Sequence, residues 1–135
     1  IDRGFRLLVT AEAKMTAKSI ANQFGYIEFP AKDIDQLKIT RHFYSSAFGW
    51  NYNNWGDDYA DTTSSGLGSG INADPEHRPS YPLAVIYTAD LESMQKKVVT
   101  AGGKITKEIF SFPGGRRFHF KDPADNELAV WSDQA

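Results

Sequence analysis

The sequence contains no cysteine, and this absence excludes several kinds of site at the outset. A disulfide framework, a zinc site built on thiolates and a cysteine nucleophile all require that residue. The redox compartment is therefore left open, and the cytoplasm is the default expectation. Any binding or catalytic function must be carried by other side chains.

The chain also lacks an excess of charge of one sign and any long apolar run. It has 15 Lys and Arg against 17 Asp and Glu, which gives a formal net charge of -2 at pH 7. A basic stripe that would neutralise a phosphate backbone is missing. No apolar stretch approaches the ~20 residues that cross a bilayer. Neither nucleic acid nor a membrane is expected as a partner.

What is present suits one compact domain, because 41% of the 135 residues are hydrophobic. Residues 1–21 are predicted to be an N-terminal extension, and the part before Met15 is either expression-derived or upstream sequence. The stretch TAEAKMTAKSIAN from Thr10 is rich in Ala, Lys and Glu, which favours a helix. The domain itself is expected over residues 22–135.

A weak internal repeat divides this domain into two units, about 22–74 and 80–133. The first begins with the alternating strand GYIEFPAKDI, followed by the helix DQLKITRHFYSSAFGW. Leu37, Tyr44 and Phe48 are predicted to share one face of that helix, before a glycine ends it.

The second unit repeats this order after the proline-rich linker NADPEHRPSYP. PLAVIYTADL reads as a strand that ends in a capping Asp, and LESMQKKVVTAGG as an amphipathic helix with a glycine stop. Each helix is followed by short strand-like runs, first WNYNNW, DYADTT and GLGSGI, then KITKEIF, GRRFHFKD and NELAVWS. The pattern predicts an α+β domain of tandem strand-helix-strand-strand-strand units with about eight strands.

FPAKDIDQLKITRHFYSSAFGW and the later GRRFHFKDPADNELAVW together resemble the vicinal oxygen chelate superfamily, which includes glyoxalase I, bleomycin-resistance proteins and extradiol dioxygenases. The marks are the FGW end of the first helix and the turn formed by Asp122, Pro123 and Asn126. The resemblance covers about residues 24–133. It implies a cup-shaped eight-stranded sheet with the helices outside, a small-molecule site inside, and a homodimer.

The metal-dependent members of that superfamily hold their ion with His or Gln and Glu from the first and last strands of each unit. Carried over to this chain, those positions fall at Tyr26, about Leu83 and Ala129, and the strand within residues 66–72 has no carboxylate or imidazole. A divalent metal wants about three or more N or O donors. We therefore expect no metal and no cofactor.

Strand alternation selects the side chains that point into the cup, since successive residues face opposite sides of a sheet. If Phe118 and Phe120 pack against the helices, their neighbours point inward, and the same rule applies to the first and last strands. Trp50 and Trp55 flank a predicted Asn-rich turn and are expected to form the lip of the cup. The predicted ligand-binding residues are Tyr26, Glu28, Trp50, Tyr87, Arg117, His119, Glu127 and Trp131.

Each polar member of this set also has an ordinary structural interpretation. Arg117 and Glu127 on neighbouring strands would form a common cross-strand ion pair. His119 is more readily a structural imidazole than a ligand contact or a candidate catalytic group. We predict nevertheless that these three side chains form one hydrogen-bonded cluster. The GLGSG run is not taken as a nucleotide site, because it leads from strand to strand.

The favoured function is a binding protein for a small, partly aromatic organic ligand, which acts without the usual metal. The alternative is a lyase-, isomerase- or dioxygenase-like enzyme that uses His119 with Glu28 or Glu127, either metal-free or with a shifted metal site. A purely structural module is a third possibility, and it predicts a cup filled by its own side chains.

Overall fold

The computed structural model describes residues 19–112 and 115–134, and within them it shows the predicted order of helices and strands twice. In chain order the elements are β1 Gln23–Pro30, α1 Ile34–Phe48, β2 Asn53–Asn54, β3 Tyr59–Thr62, β4 Gly68–Asn72, β5 Leu83–Tyr87, α2 Leu91–Thr100, β6 Lys104–Phe112, β7 Gly115–Lys121 and β8 Glu127–Ser132.

Both helices begin at a capping aspartate, as the repeat predicted. Asp33 accepts a hydrogen bond from the Gln36 backbone N–H at 2.8 Å, and Asp90 accepts one from Ser93 at 3.1 Å. These contacts satisfy backbone donors that the first helical turn leaves unpaired. α1 ends at Gly49, whose φ of 76° lies in the left-handed region that glycine enters without strain. Within the described residues, neither helix is long and apolar enough to span a membrane.

The eight strands form one mixed sheet in the order β2-β3-β4-β1-β5-β8-β7-β6. At its centre β1 and β5, the first strands of the two units, pair antiparallel. Each first strand also pairs in parallel with the last strand of its own unit, β1 with β4 and β5 with β8. From the central β1–β5 pair outward, the strands of the two units therefore follow in the same order on either side of the sheet. The predicted α+β architecture is confirmed.

The helices cover one face of this sheet and bury its apolar side chains. Leu37 of α1 packs with Ala60 and Ile71, while Leu91 of α2 packs with Phe118 in a separate cluster. Large apolar side chains removed from water in this way contribute roughly 1.5–3 kcal/mol each. The opposite, helix-free face is left for other chemistry.

Two local predictions need correction. The helix expected from Thr10 falls partly on residues 10–18, which lie outside the described residues. Of its remaining part, residues 19–20 have no regular structure and residues 21–22 form a turn. Phe48 does not pack on the sheet beside Leu37 but is 62% exposed. Its ring lies against Trp50, with centroids 5.5 Å apart, so this end of α1 forms a surface aromatic cluster.

Gly70 in β4 shows why the run GLGSG, which has no function assigned from the sequence, needs a glycine at its last position. It pairs with Glu28 on one side and Asp61 on the other. A Cβ placed there would overlap the hydroxyls of Tyr26 and Tyr59 and lie 2.8 Å from Tyr59 Cζ. The glycine therefore leaves space for two tyrosine side chains.

We predict that Gly70→Ala lowers the free energy of unfolding by about 1–3 kcal/mol, the usual cost of overpacking. Urea denaturation of the purified variant measures it. Gly25→Ala is the matched control in β1, because a Cβ there meets no atom within 4 Å. An equal loss in both variants would show that the tyrosine contacts are not the cause.

Candidate functional site

Strand alternation places most of the predicted site residues on the helix-free face. Phe118 and Val130 pack with α2, whereas Tyr26, Ala129 and Trp131 belong to a cluster that includes no helix residue. The faces predicted from alternation along β1, β7 and β8 are thereby confirmed. We call this helix-free side of the sheet the concave face.

Glu28 is the most enclosed carboxylate of the predicted set, with 4% of its surface exposed. Its Oε1 accepts a hydrogen bond from the Tyr59 hydroxyl at 3.0 Å, and its Oε2 accepts one from Asn72 Nδ2 at 3.3 Å. Arg117 Nη1 lies 3.9 Å from Oε1 and supplies a compensating charge. A buried carboxylate needs such partners, because burial alone strongly disfavours its charge.

A second tyrosine extends this network. The Tyr26 and Tyr59 hydroxyl oxygens are 2.7 Å apart, and since Tyr59 donates to Glu28, Tyr26 donates to Tyr59. Burial is the main reason that the pKa of each phenol is raised well above its usual value. Next in size are the Asp61 charge for Tyr26 and the Glu28 charge for Tyr59. Both phenols therefore stay protonated and act as hydrogen-bond donors.

In the second unit, His119 and Glu127 face each other without forming a hydrogen bond. His119 Nδ1 lies 3.8 Å from Glu127 Oε2, while that oxygen accepts a bond of 2.7 Å from the Thr106 hydroxyl. Burial, together with the positive charges of Arg117 and Lys107, lowers the pKa of His119 to about 3. The imidazole is therefore neutral at physiological pH.

The predicted cluster of Arg117, His119 and Glu127 is not formed, and the register of the last hairpin gives the reason. Arg117 stands opposite Trp131, whereas Glu127 stands opposite Lys121 at the other end of the β7–β8 pair. An ion pair between Arg117 and Glu127 would have to run along the strands rather than across them. Arg117 points instead toward Glu28 of the first unit.

The remaining aromatic candidates separate into two places. The rings of Tyr87 and Trp131 meet edge to face with centroids 5.3 Å apart, both on the concave face. The Tyr87 hydroxyl donates to Asp133 at 2.7 Å, and this bond is the main cause that raises the Tyr87 pKa. Trp50, expected at the lip, stacks on Tyr44 of α1 at 5.0 Å and is not brought to this group.

Three buried nitrogens on the β7–β8 part of the concave face have no hydrogen-bond partner in the described part of the chain. They are Arg117 Nε, His119 Nε2 and Trp131 Nε1. Most buried polar groups in proteins are hydrogen-bonded, so an unsatisfied set of this kind calls for a water, an ion or a ligand. These atoms make this part of the concave face the candidate site.

A cleft of about 670 Å³ opens at the end of the sheet where β5 and β8 begin. Its lining includes the predicted residues His119 and Glu127, together with Lys107 of β6 and the linker residues Arg78 and Tyr81. That volume falls in the range of small-molecule sites.

The side chains present do not fit the metal centre of the metal-dependent relatives. Tyr26, Leu83 and Ala129, at the carried-over positions, pack together as part of an apolar cluster. Across residues 19–112 and 115–134, no group of three or more His, Cys, Asp or Glu side chains is arranged to hold an ion. Glu28 is bonded by Tyr59 and Asn72. It is therefore not grouped with His119 and Glu127, the other two residues of the shifted metal site considered as an alternative.

Sequence reasoning missed the partners contributed by β3, β4 and β6. Tyr59 and Asn72 bind Glu28, and Thr106 binds Glu127. The alternation of DYADTT contains a usable signal, since it places Tyr59 and Asp61 on one face. The role of Asn72 depends on the parallel register of β4 with β1, which a single sequence does not reveal.

A family model described as the Glyoxalase/Bleomycin resistance protein/Dioxygenase superfamily matches residues 23–130. Among curated proteins, none matches the sequence significantly.

Solved structures of similar fold are found at low sequence identity. An Mn(II)-bound glyoxalase from Novosphingobium aromaticivorans is 19% identical, with a TM-score of 0.59, over 85% of this chain and 40% of that one. A glyoxalase/bleomycin resistance protein/dioxygenase superfamily member from Vibrio splendidus 12B01 is 13% identical, with a TM-score of 0.60, over 83% and 99%. A methylmalonyl-CoA epimerase from Mycobacterium tuberculosis is 13% identical, with a TM-score of 0.55, over 84% and 89%. At these identities the similarity establishes the fold alone.

We predict that His119→Gln flattens the dependence of stability on pH between about pH 7 and about pH 5. The unfolded imidazole takes up its proton near the ordinary pKa of 6.5, and the folded one only near about 3. The unfolded state therefore binds more protons in this interval, and the wild type loses stability as the pH falls. The slope attributable to one group is at most about 1.4 kcal/mol per pH unit.

Urea denaturation at several pH values measures this slope in the wild type and in the variant. If both proteins show the same slope, the buried imidazole does not have the lowered pKa that its surroundings impose.

Proposed function

Because the chain belongs to the Glyoxalase/Bleomycin resistance protein/Dioxygenase superfamily, we propose that it binds a small, partly aromatic organic molecule on its concave face without a metal. The observation that carries this proposal is the set of three buried nitrogens on β7 and β8 that lack a protein partner. They belong to Arg117, His119 and Trp131, and the Trp131 ring itself adds aromatic surface. Such a combination of apolar walls with a few polar groups is typical of small-molecule sites.

The two halves of the concave face support different roles. In the first unit, Tyr26 and Tyr59 fill the space above Gly70 and hydrogen-bond to each other. This half fits the hypothesis of a structural module, in which the cup is filled by its own side chains. In the second unit the cleft reaches His119, one of the three residues with an unpartnered nitrogen. Arg117 and Trp131 lie farther along the β7–β8 pair, next to His119 on the same face. The proposal therefore places the ligand in the second unit.

An enzyme that uses His119 as general acid or base is the second candidate. The 3.8 Å approach of Glu127 to His119 Nδ1 favours it, because a carboxylate in that position orients an imidazole. A pKa of about 3, however, makes His119 a weak base at neutral pH. Efficient acid-base groups have pKa values near the working pH, so binding is the better supported role.

A thermal-shift screen tests the proposal directly. The panel contains aromatic carboxylates, 2-oxo acids such as phenylpyruvate, aromatic amines and uncharged aromatic compounds. A compound that binds only the native protein raises its apparent stability. We expect at least one class to do so, and the same shift after dialysis against a chelator, because no metal takes part.

Two histidine variants then locate the site. His119→Gln is expected to weaken binding of the best compound several-fold, whereas His42→Gln, on the exposed side of α1, leaves it unchanged. The binding function fails if no compound in the panel stabilises the wild type, or if the two variants respond alike. A shift that disappears with chelation would favour the enzyme with a shifted metal site.

A further inference from the structure

Arg117 on the concave face has a buried donor nitrogen and lacks a close hydrogen-bond acceptor for it among the described residues. Its side chain is 17% exposed. It forms an ion pair with Glu28, in which Arg117 Nη1 lies 3.9 Å from Glu28 Oε1. That separation exceeds the length of an N–H···O hydrogen bond. The Nε atom is buried and has no acceptor among the described residues. A guanidinium in this state is costly unless another acceptor approaches it.

Trp131 lies directly opposite Arg117 on β8 and presents a second donor without an acceptor. The two residues are paired in register, and Trp131 is 2% exposed. Its indole N–H donates only and finds no acceptor in the described part of the chain. Two neighbouring groups therefore require the same thing, an oxygen atom that accepts hydrogen bonds.

The nearby protein carboxylates do not meet this requirement. Glu28 already accepts bonds from Tyr59 and Asn72. Glu127 accepts a bond from Thr106, and it stands at the other end of the hairpin. Neither carboxylate accepts a hydrogen bond from Arg117 Nε or Trp131 Nε1, so both donors are left without an acceptor among the described residues.

Lys107 adds a second positive charge near Arg117, whose own charge is partly offset by Glu28 at 3.9 Å. Lys107 Nζ lies 5.0 Å from the centroid of the Phe110 ring, and the Arg117 guanidinium carbon lies 5.4 Å from it. Two cations thus share one aromatic ring close to the unpartnered donors. The same ring offers an apolar surface for the aromatic part of a ligand.

We infer that the Arg117–Trp131 pair is a carboxylate-binding site, and that the ligand is an aromatic carboxylate rather than a neutral or cationic aromatic compound. The inference rests on the proposed binding function and adds the chemical class of the ligand. The planar guanidinium matches a carboxylate through two N–H donors, and the indole N–H adds a third bond. Glu28 keeps its bonds to Tyr59 and Asn72 when the ligand engages Arg117.

Titration calorimetry with phenylacetate and its uncharged isostere phenylacetamide tests this inference. The wild type is expected to bind phenylacetate at least about tenfold more tightly, on the scale of hydrogen bonds to charged groups. Arg117→Gln is expected to remove most of that preference while phenylacetamide binding changes little. Trp131→Phe, which keeps a ring and removes the N–H, should reduce the preference in part.

Arg116→Gln is the matched control, because this neighbouring arginine bonds Glu92 of α2 on the opposite side of the sheet. It should keep the full preference for phenylacetate. If Arg117→Gln does not fold because Glu28 is left without its counter-charge, the double variant Glu28→Gln/Arg117→Gln restores neutrality and replaces it.

The outcomes separate this inference from the binding function. Equal affinity for phenylacetate and phenylacetamide, or tighter binding of aromatic amines, overturns the carboxylate site and leaves the binding function standing. Loss of the preference in Arg116→Gln as well also overturns the site, since general surface charge would then explain it. Failure of every class in the thermal-shift panel overturns the binding function itself.

Discussion

The burial of Glu28 is the constraint on which the concave face depends. A carboxylate that is 4% exposed persists as an ion only if hydrogen bonds and a counter-charge replace the water it has lost. Tyr59 of β3, Asn72 of β4 and Arg117 of β7 supply them, so one side chain on the central strand β1 connects both units. Removing Arg117 would leave the buried carboxylate without its counter-charge, and removing Tyr59 or Asn72 would leave it with one hydrogen bond fewer.

This arrangement also constrains the small residues between the partners. Tyr59 reaches Glu28 across β4, where Gly70 has no side chain in the way. β5 and β8 lie between β1 and β7 in the sheet, and Ala129 of β8 is a small residue on the same face. Contact between Glu28 and Arg117 at 3.9 Å across two intervening strands is consistent with a sheet that curls toward this face.

The two units thus use one architecture for different purposes. In the first, hydrogen bonds join Tyr26, Tyr59, Glu28 and Asn72 into one network. The second leaves three buried nitrogens without a partner among the described residues, and one of the residues that carry them, His119, lines the cleft. Tyr26, Leu83 and Ala129, the positions to which the resemblance carries over the metal ligands, pack together in an apolar cluster. This packing is consistent with the proposal that hydrogen-bond donors of the second unit, rather than a metal ion, hold the ligand.

Local sequence patterns predict the elements and faces well, because they depend on neighbouring residues. The capping aspartates, the stop at Gly49 and the inward placement of Arg117 and His119 all follow from spacing and alternation. The partner of each inward group does not, because it depends on register and on strands distant in sequence. Arg117 meets Glu28 rather than Glu127 for this reason. Trp50 likewise stacks on Tyr44 and Phe48 at the end of α1, a contact that the sequence pattern did not indicate.

The central claim is that the second unit offers unpaired donors to a ligand carboxylate in a site without metal. A crystal structure of the protein soaked with phenylacetate tests it most directly. The account predicts the carboxylate within hydrogen-bonding distance of Arg117 Nε and Trp131 Nε1, with Glu28 still bonded to Tyr59 and no ion at Tyr26 or Ala129. A carboxylate bound elsewhere, or a metal ion on the concave face between ligand and protein, would contradict it.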